Sequence, residues 1–168
     1  MTKRIYPALC IVLTSCTFVL AESLRLFPLL SLVAFPVMIL QLVFTSILHY
    51  QLWAAVPVAS RSTTPGKAVG FLFIPFFNLY WYFPSYVGLS KSIERATGKP
   101  AANGLAVSYA ILSVLNWFMG AIPYVGFLFG IAYFVVWLVF VVSVTKAVNT
   151  RILETTTGTP PALPAQTS

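Results

Sequence analysis

The sequence predicts an all-α integral membrane protein with four transmembrane helices, arranged as two hairpins, and a broken helical segment between the hairpins. Its 168 residues are 59% hydrophobic and only 8% charged, whereas soluble domains carry about 25% charged residues. Four uncharged stretches are long enough to cross, or nearly cross, a hydrocarbon core of about 30 Å. A further uncharged stretch, from Ala68 to Ser90, is of comparable length but contains Pro75 and Pro84.

The four uncharged stretches predict the transmembrane helices, of which the first is the shortest and the most polar. They cover about residues 5–21, 26–52, 104–122 and 124–145. With the segment between them, they predict one polytopic membrane domain over residues 1–154. The remaining tail, residues 155–168, is rich in proline and threonine, a composition typical of a disordered tail.

The N-terminal stretch also carries two patterns of a cleaved signal peptide. The residues LTSC match a lipoprotein signal that is cleaved before Cys16, and VLA matches an ordinary signal-peptidase site that ends at Ala21. We favour an uncleaved first span because further membrane-like sequence follows it, instead of an exported domain. Cleavage would remove one span and place the N-terminus outside, and this alternative stays open.

The distribution of positive charge favours four spans over five. If the stretch from Ala68 to Ser90 crosses the membrane, the ten Lys and Arg residues fall almost evenly on both sides. If it returns to the side it came from, all of them except Arg25 lie on one side. Positive residues in short loops concentrate in the cytoplasm. The returning path therefore fits better and places both termini in the cytoplasm, while a spanning segment is the alternative.

Local signals describe this aromatic segment, about residues 65–96, as a broken interfacial or re-entrant helix. Thr64 is a suitable N-cap and Pro65 suits the first helical position. Pro75 removes a backbone donor and disfavours helix at the preceding residue, so a break is expected there. Gly98 supplies a C-terminal stop.

Seven residues of the aromatic segment are candidates for contact with a lipid, a partner or a solute. They combine the helix break, one polar side chain, aromatic rings suited to headgroup depth, and flanking cations. They are Pro75, Asn78, Tyr80, Trp81, Tyr82, Lys91 and Arg95. The expected partners are membrane lipids, a second copy of the chain or another membrane protein. Positive charges scattered singly between apolar runs fit anionic lipid better than nucleic acid.

The sequence predicts no catalytic site, no metal site and no cofactor. It has no Asp, and Glu22, Glu94 and Glu154 lie far apart, so no paired carboxylates form. One histidine and two cysteines do not supply the roughly four ligands of a zinc site. The phosphate-binding, nucleophile-elbow and zinc-protease motifs do not occur.

The single histidine, His49, lies near the end of the second stretch beside Tyr50 and Trp53. A histidine within a membrane suggests function, but these neighbours favour an interfacial position. At 1.5 Å per residue from the first hairpin, Cys10 is expected about 16 Å from His49 in depth. That separation argues against a nucleophile and base pair. Gln41 and Asn116 are expected to hydrogen-bond across helices.

Residues 64–81, TPGKAVGFLFIPFFNLYW, resemble a signature of small, uncharacterised bacterial polytopic membrane proteins. The matching positions are Pro65, Gly66, Lys67, Ala68, Ile74, Pro75, Phe76, Phe77, Asn78, Tyr80 and Trp81. The resemblance implies a protein of the bacterial inner membrane without an assigned reaction. It also implies that a functional site lies around Pro75–Trp81.

The leading functional prediction is a small membrane protein without catalytic activity that engages lipid or a partner through Gly70–Arg95. The alternative is an oligomeric transporter or channel component that uses the broken helix at Pro75 and Asn78. An enzyme is the weakest class, because its chemistry would have to come from isolated residues.

Overall fold

The computed structural model describes residues 5, 7–24, 31–119, 122 and 124–156, and these residues form helices without any strand. The α-helices are α1 (Ala8–Leu24), α2 (Ser31–Ala55), α3 (Pro65–Gly70), α4 (Phe77–Tyr82), α5 (Gly88–Thr97), α6 (Asn103–Met119) and α7 (Val125–Thr156). Two 3₁₀ turns cover Val58–Ser60 and Phe71–Phe73, and a π-helical turn over Phe83–Val87 joins α4 to α5. The all-α prediction is confirmed for this part of the chain.

Two helices, not four, have both the length and the apolar composition of a membrane span among the described residues. They are Phe35–Ala55 in α2 and Val125–Thr150 in α7. The other two apolar helices are shorter, since α1 and α6 contain 17 residues each. At 1.5 Å per residue they cover about 25 Å, less than a typical hydrocarbon core.

The helix bounds differ from the predicted spans mainly at the connections. α2 begins at Ser31 instead of residue 26, and α7 continues to Thr156, beyond the predicted end of the membrane domain. Both hairpin connections fall largely outside the described residues, as do residues 157–168 of the predicted tail. The predicted cleavage positions, Cys16 and Ala21, lie inside α1.

The contact between α1 and α2 corrects the predicted depth of Cys10. Its Sγ lies 3.5 Å from Thr45 Oγ1, only one helical turn, or about 6 Å, before His49. The expected 16 Å is wrong because the register of α1 against α2 differs from the one that the predicted hairpin implied. Gln41 Nε2 donates to Thr14 Oγ1 across the same interface at 3.2 Å, as expected.

Several chain connections meet at one end of the helical bundle. Ile5 N donates to Asn149 Oδ1 at 3.1 Å and Ile5 O accepts from Asn149 Nδ2 at 2.9 Å, which fastens the N-terminal residues to α7. Asn103, at the start of α6, donates to the carboxylate of Glu94 near the end of α5. Arg61 donates to Ala54 O and Val56 O and so caps the end of α2.

The aromatic segment begins, breaks and ends where its local signals predict. Thr64 is the N-cap, its hydroxyl accepting from Lys67 N at 3.4 Å, and Pro65 is the first helical residue. The helical path breaks beside Pro75, where Ile74 is extended and Phe76 has a φ of 61°. Gly98 ends α5 with a φ of 66°.

The two arms of the aromatic segment run side by side as a helical hairpin. Near the open end, Ser62 N donates to Ser92 Oγ at 3.2 Å. Further along, Ser85 Oγ donates to Ala68 O at 2.9 Å. Towards the break, the ring centroids of Phe71 and Phe77 are 5.6 Å apart. The two arms therefore begin and end close together, and the break at Pro75 lies at the tip of the hairpin.

The arm after the break, which ends in α5, packs one face on the core of the bundle. Tyr86, Leu89 and Ile93 are buried, whereas Lys91 and Arg95 are exposed on the opposite face. This division is what a period of 3.6 residues produces in an amphipathic helix. It fixes which side of the hairpin meets the protein and which side faces outward.

Candidate functional site

A buried hydrogen-bonded group ties the aromatic segment to α2. His49 Nε2 lies 2.7 Å from Ser85 Oγ, and this hydroxyl donates to Ala68 O at 2.9 Å. Because serine has a single proton and a carbonyl can only accept, the proton between His49 and Ser85 belongs to His49 Nε2. One side chain from the π-helical turn thus connects α2 with α3.

Two indole rings add further hydrogen bonds to this group. Trp53 Nε1 donates to Ser85 O, and Trp81 Nε1 donates to Ala68 O, each at 3.2 Å. Trp53, Ala68 and Ser85 are fully buried. A buried donor without an acceptor costs about 1–3 kcal/mol, so these polar groups hold the two arms in one relative position.

The Ser85–His49 pair has the spacing of a nucleophile and its base. Its hydroxyl proton, however, is directed to the Ala68 carbonyl, and both side chains are almost fully buried. The arrangement therefore fits a structural tie between α2 and the aromatic segment. Cys10 contacts Thr45 instead of His49.

The structure places His49 inside the protein, while its predicted interfacial depth stays a prediction. Its side chain is 3% exposed and its ring centroid lies 4.3 Å from that of Tyr86. Tyr50, the next residue, is 50% exposed, because consecutive positions on a helix point in different directions. The neighbouring aromatic residues indicated the end of the helix but carried no information about which face is buried.

Small residues let the start of α5 lie close to Ser62 and to the indole of Trp53, and they are the sequence signal that could have located this contact. Ser85, Gly88 and Ser92 follow helical spacing in SYVGLSKS. A Cβ on Gly88 would lie 3.0 Å from Ser62 Oγ and 3.7 Å from Trp53 Cη2. Small residues at such spacing leave room for a neighbouring segment of the chain.

The tip of the hairpin is apolar and exposed. Phe76 is 86% exposed and Tyr80 is 64% exposed, and Pro75 lies exposed beside them. Asn78 is partly buried within this tip, and its Oδ1 is enclosed without a hydrogen-bond partner in the described chain. The tip thus presents aromatic rings outward with one unpaired carbonyl oxygen behind them.

A basic groove brings together three of the predicted contact residues. Trp81, Lys91 and Arg95 line an open groove with a volume of about 440 Å³. Further lining comes from Ser62, Thr63, Phe83, Pro84, Val87, Gly88 and Val107. Both charged residues of this basic groove are positive, and most of the other lining side chains are apolar.

Tyr82 has a different surrounding from the other predicted contact residues. It faces the interior of the bundle, where its ring stacks on Tyr86 at 5.7 Å and meets Tyr109 edge-on at 6.4 Å. The hydroxyl of Tyr109 lies 2.9 Å from that of Tyr133. Burial raises the pKa of Tyr82 and that of Tyr86, with a smaller contribution from neighbouring phenols. These side chains therefore stay uncharged and serve packing.

The predicted site residues thus separate into the tip, the basic groove and the tyrosine interior. The described residues contain no cluster of three or more His, Cys, Asp or Glu side chains that could hold a metal ion. The resemblance of residues 64–81 to small bacterial membrane proteins stays an expectation. Comparison of this chain with protein-family models, curated proteins and solved structures gives no match.

Proposed function

We propose that this chain is an integral membrane protein that binds lipid through its aromatic segment, without catalysing a reaction. The membrane assignment is supported by apolar helices whose surfaces stay exposed. Only 17% of the most apolar 18-residue stretch of α2 is buried inside the protein, and only 22% of that of α7. A core helix of a soluble protein would be mostly buried, whereas lipid would cover these surfaces.

The proposed topology has four spans, as two hairpins, with the aromatic segment returning to the cytoplasmic side and both termini in the cytoplasm. The shared end of the bundle carries Arg61, Lys91 and Arg95, in keeping with the preference of positive residues for the cytoplasm. The shorter α1 and α6 would span by local thinning of the bilayer, at a modest cost. The assignment to the bacterial inner membrane is supported only by the resemblance of residues 64–81.

The single observation that carries the lipid-binding role is the exposed aromatic tip on a returning hairpin. Ser85 is tied to α2, and Phe77 begins the same arm about 12 Å deeper along the helix axis. Phe76 and Tyr80 would therefore enter the acyl region of the cytoplasmic leaflet. Large aromatic rings with apolar surroundings gain most from such burial.

The test compares two aromatic pairs that match in exposure. Phe76→Ala/Tyr80→Ala removes side chains that are 86% and 64% exposed, and Trp117→Ala/Tyr124→Ala removes side chains that are 62% and 85% exposed. Phe76 and Tyr124 also share a positive φ. Native mass spectrometry of the full chain from detergent should show about tenfold weaker lipid retention for the tip variant.

Equal lipid retention by both variants would overturn the proposal, provided that both unfold like the parent protein. Loss of a copurifying protein without loss of lipid would instead identify the tip as a protein-binding surface. Reporter fusions after Ser62 and after Ala101 test the topology separately. Both junctions are expected in the cytoplasm, and junctions on opposite sides would show that the segment spans.

A second candidate function is that of an oligomeric transporter or channel component. It is favoured by the break at Pro75 together with the unpaired Oδ1 of Asn78. Broken helices form solute sites in transporters, but so few helices would need several copies to enclose a path. Solute flux into proteoliposomes that disappears in Asn78→Ala would support it, and no flux across a broad panel of solutes would exclude it.

A further inference from the structure

We propose that the basic groove binds the headgroup of an anionic phospholipid, with Lys91 and Arg95 on its phosphate. This inference rests on the proposed lipid-binding function and names the ligand class and a second contact site apart from the tip.

The two cations are arranged for one shared anion. Lys91 and Arg95 lie one turn apart on the outward face of α5, and both line the basic groove. Arg95 Nε donates to Lys91 O at 3.3 Å, which holds the guanidinium along the helix. Its terminal nitrogens can then form the paired bonds that guanidinium groups make with phosphate.

No carboxylate competes for these cations inside the basic groove. None of its lining residues is acidic. The nearest glutamate in sequence, Glu94, accepts a hydrogen bond from the Asn103 amide of α6. The local field at the groove is therefore positive, and an anion placed there meets no repulsion from a lining side chain.

The apolar part of the basic groove identifies the anion as a lipid. Trp81 and Phe83 precede the cations on the same arm, towards the tip that the proposed topology places in the leaflet, and Val107 adds apolar surface from α6. A phosphate on Lys91 and Arg95 would leave its glycerol and first acyl carbons against these side chains. A free phosphate would leave that surface uncovered. The volume of about 440 Å³ suits a headgroup with its first carbons.

The experiment measures binding of phosphatidylglycerol and phosphatidylcholine to the full chain in neutral detergent, by native mass spectrometry. Lys91→Gln/Arg95→Gln is compared with Lys67→Gln/Lys146→Gln, which removes two exposed cations outside the basic groove. Each cation near an anionic lipid surface strengthens binding about fivefold. We expect at least tenfold weaker binding of phosphatidylglycerol for the groove variant, little change for the control variant, and no change with phosphatidylcholine.

Equal losses in the two double variants, or equal binding of both lipids by the parent protein, would overturn this inference. Displacement of phosphatidylglycerol by inorganic phosphate alone would assign the site to a free anion and would also overturn it. If the tip variant loses lipid while the groove variant does not, the headgroup site fails and the proposed function stands. If neither variant loses lipid, both fail.

Discussion

Replacing Ser85 with alanine tests whether the buried tie positions the aromatic segment. The change removes the acceptor of the His49 Nε2 proton and the donor to Ala68 O. His49 is 3% exposed, so water cannot replace its partner without rearrangement. Ala68 O keeps the bond from Trp81 Nε1, so the imidazole donor suffers the larger loss.

The expected magnitude follows from these two bonds. An unpaired buried donor costs about 1–3 kcal/mol, and the lost bond to the carbonyl adds about 1 kcal/mol. Ser85→Ala should therefore lower the free energy of unfolding by about 2–4 kcal/mol. If His49 is first replaced by Phe, the same change should cost about 1–2 kcal/mol less, because no imidazole donor is left unpaired.

A matched control lies on the same arm of the hairpin. Ser90 is as fully buried as Ser85, but its Oγ has no partner in the described part of the chain. Ser90→Ala removes an unpaired polar atom and should leave stability unchanged or raise it slightly. Both variants differ from the parent by one hydroxyl, so packing volume does not distinguish them.

The assay is reversible unfolding in mixed micelles with increasing dodecyl sulfate, followed by circular dichroism. Equal effects of Ser85→Ala and Ser90→Ala would refute the argument, because burial alone would then explain both results. A coupling between His49 and Ser85 below about 0.5 kcal/mol would also refute it, since that is the level expected of independent sites.

Three further predictions concern the backbone and use the same unfolding assay or hydrogen exchange. Gly70→Ala should raise the free energy of unfolding by about 0.5–1 kcal/mol through helix propensity, since a Cβ there meets nothing within 4 Å. Gly88→Ala should raise it less, because its Cβ would lie 3.0 Å from a hydroxyl oxygen. A larger gain at Gly88 would contradict the close contact between Gly88 and Ser62. Gly98→Ala should destabilise by about 1 kcal/mol because the φ of 66° is unfavourable for alanine, and an unchanged midpoint would count against this cap. Asn149→Ala should speed amide exchange at Ile5 about fivefold, and unaltered exchange would show that the bond is not formed in solution.

The local features of the aromatic segment were predictable because a few neighbouring residues determine them. A capping hydroxyl before Pro65, the missing donor of Pro75 and the freedom of Gly98 act over one turn of chain. The structure places the helix start, break and end at these positions. They needed no knowledge of the rest of the fold.

The pairing of His49 with Ser85 depends on long-range register and could not be derived in that way. It requires the path of the chain from α2 through α3 to the returning arm, which no local pattern determines. The inward direction of Tyr82, by contrast, follows from local spacing. Tyr82 lies four residues before Tyr86, on whose ring it stacks, so a helical period already places both on one face. The prediction of headgroup contact rested on residue type alone and did not use this spacing.

The two ties described above also impose an order on assembly during synthesis. The partner of His49 lies 36 residues later in the chain, and the bond between Ile5 and Asn149 spans 144 residues. At roughly 5–20 residues per second, the N-terminal clamp waits about 7–30 s for its partner to be made. Until its partner is made, the imidazole of His49 has no acceptor for its Nε2 proton, and Ile5 lacks its bonds to Asn149. Early in synthesis, the face of α2 that later receives Ser85 is therefore the part of this helix with an unmet polar group.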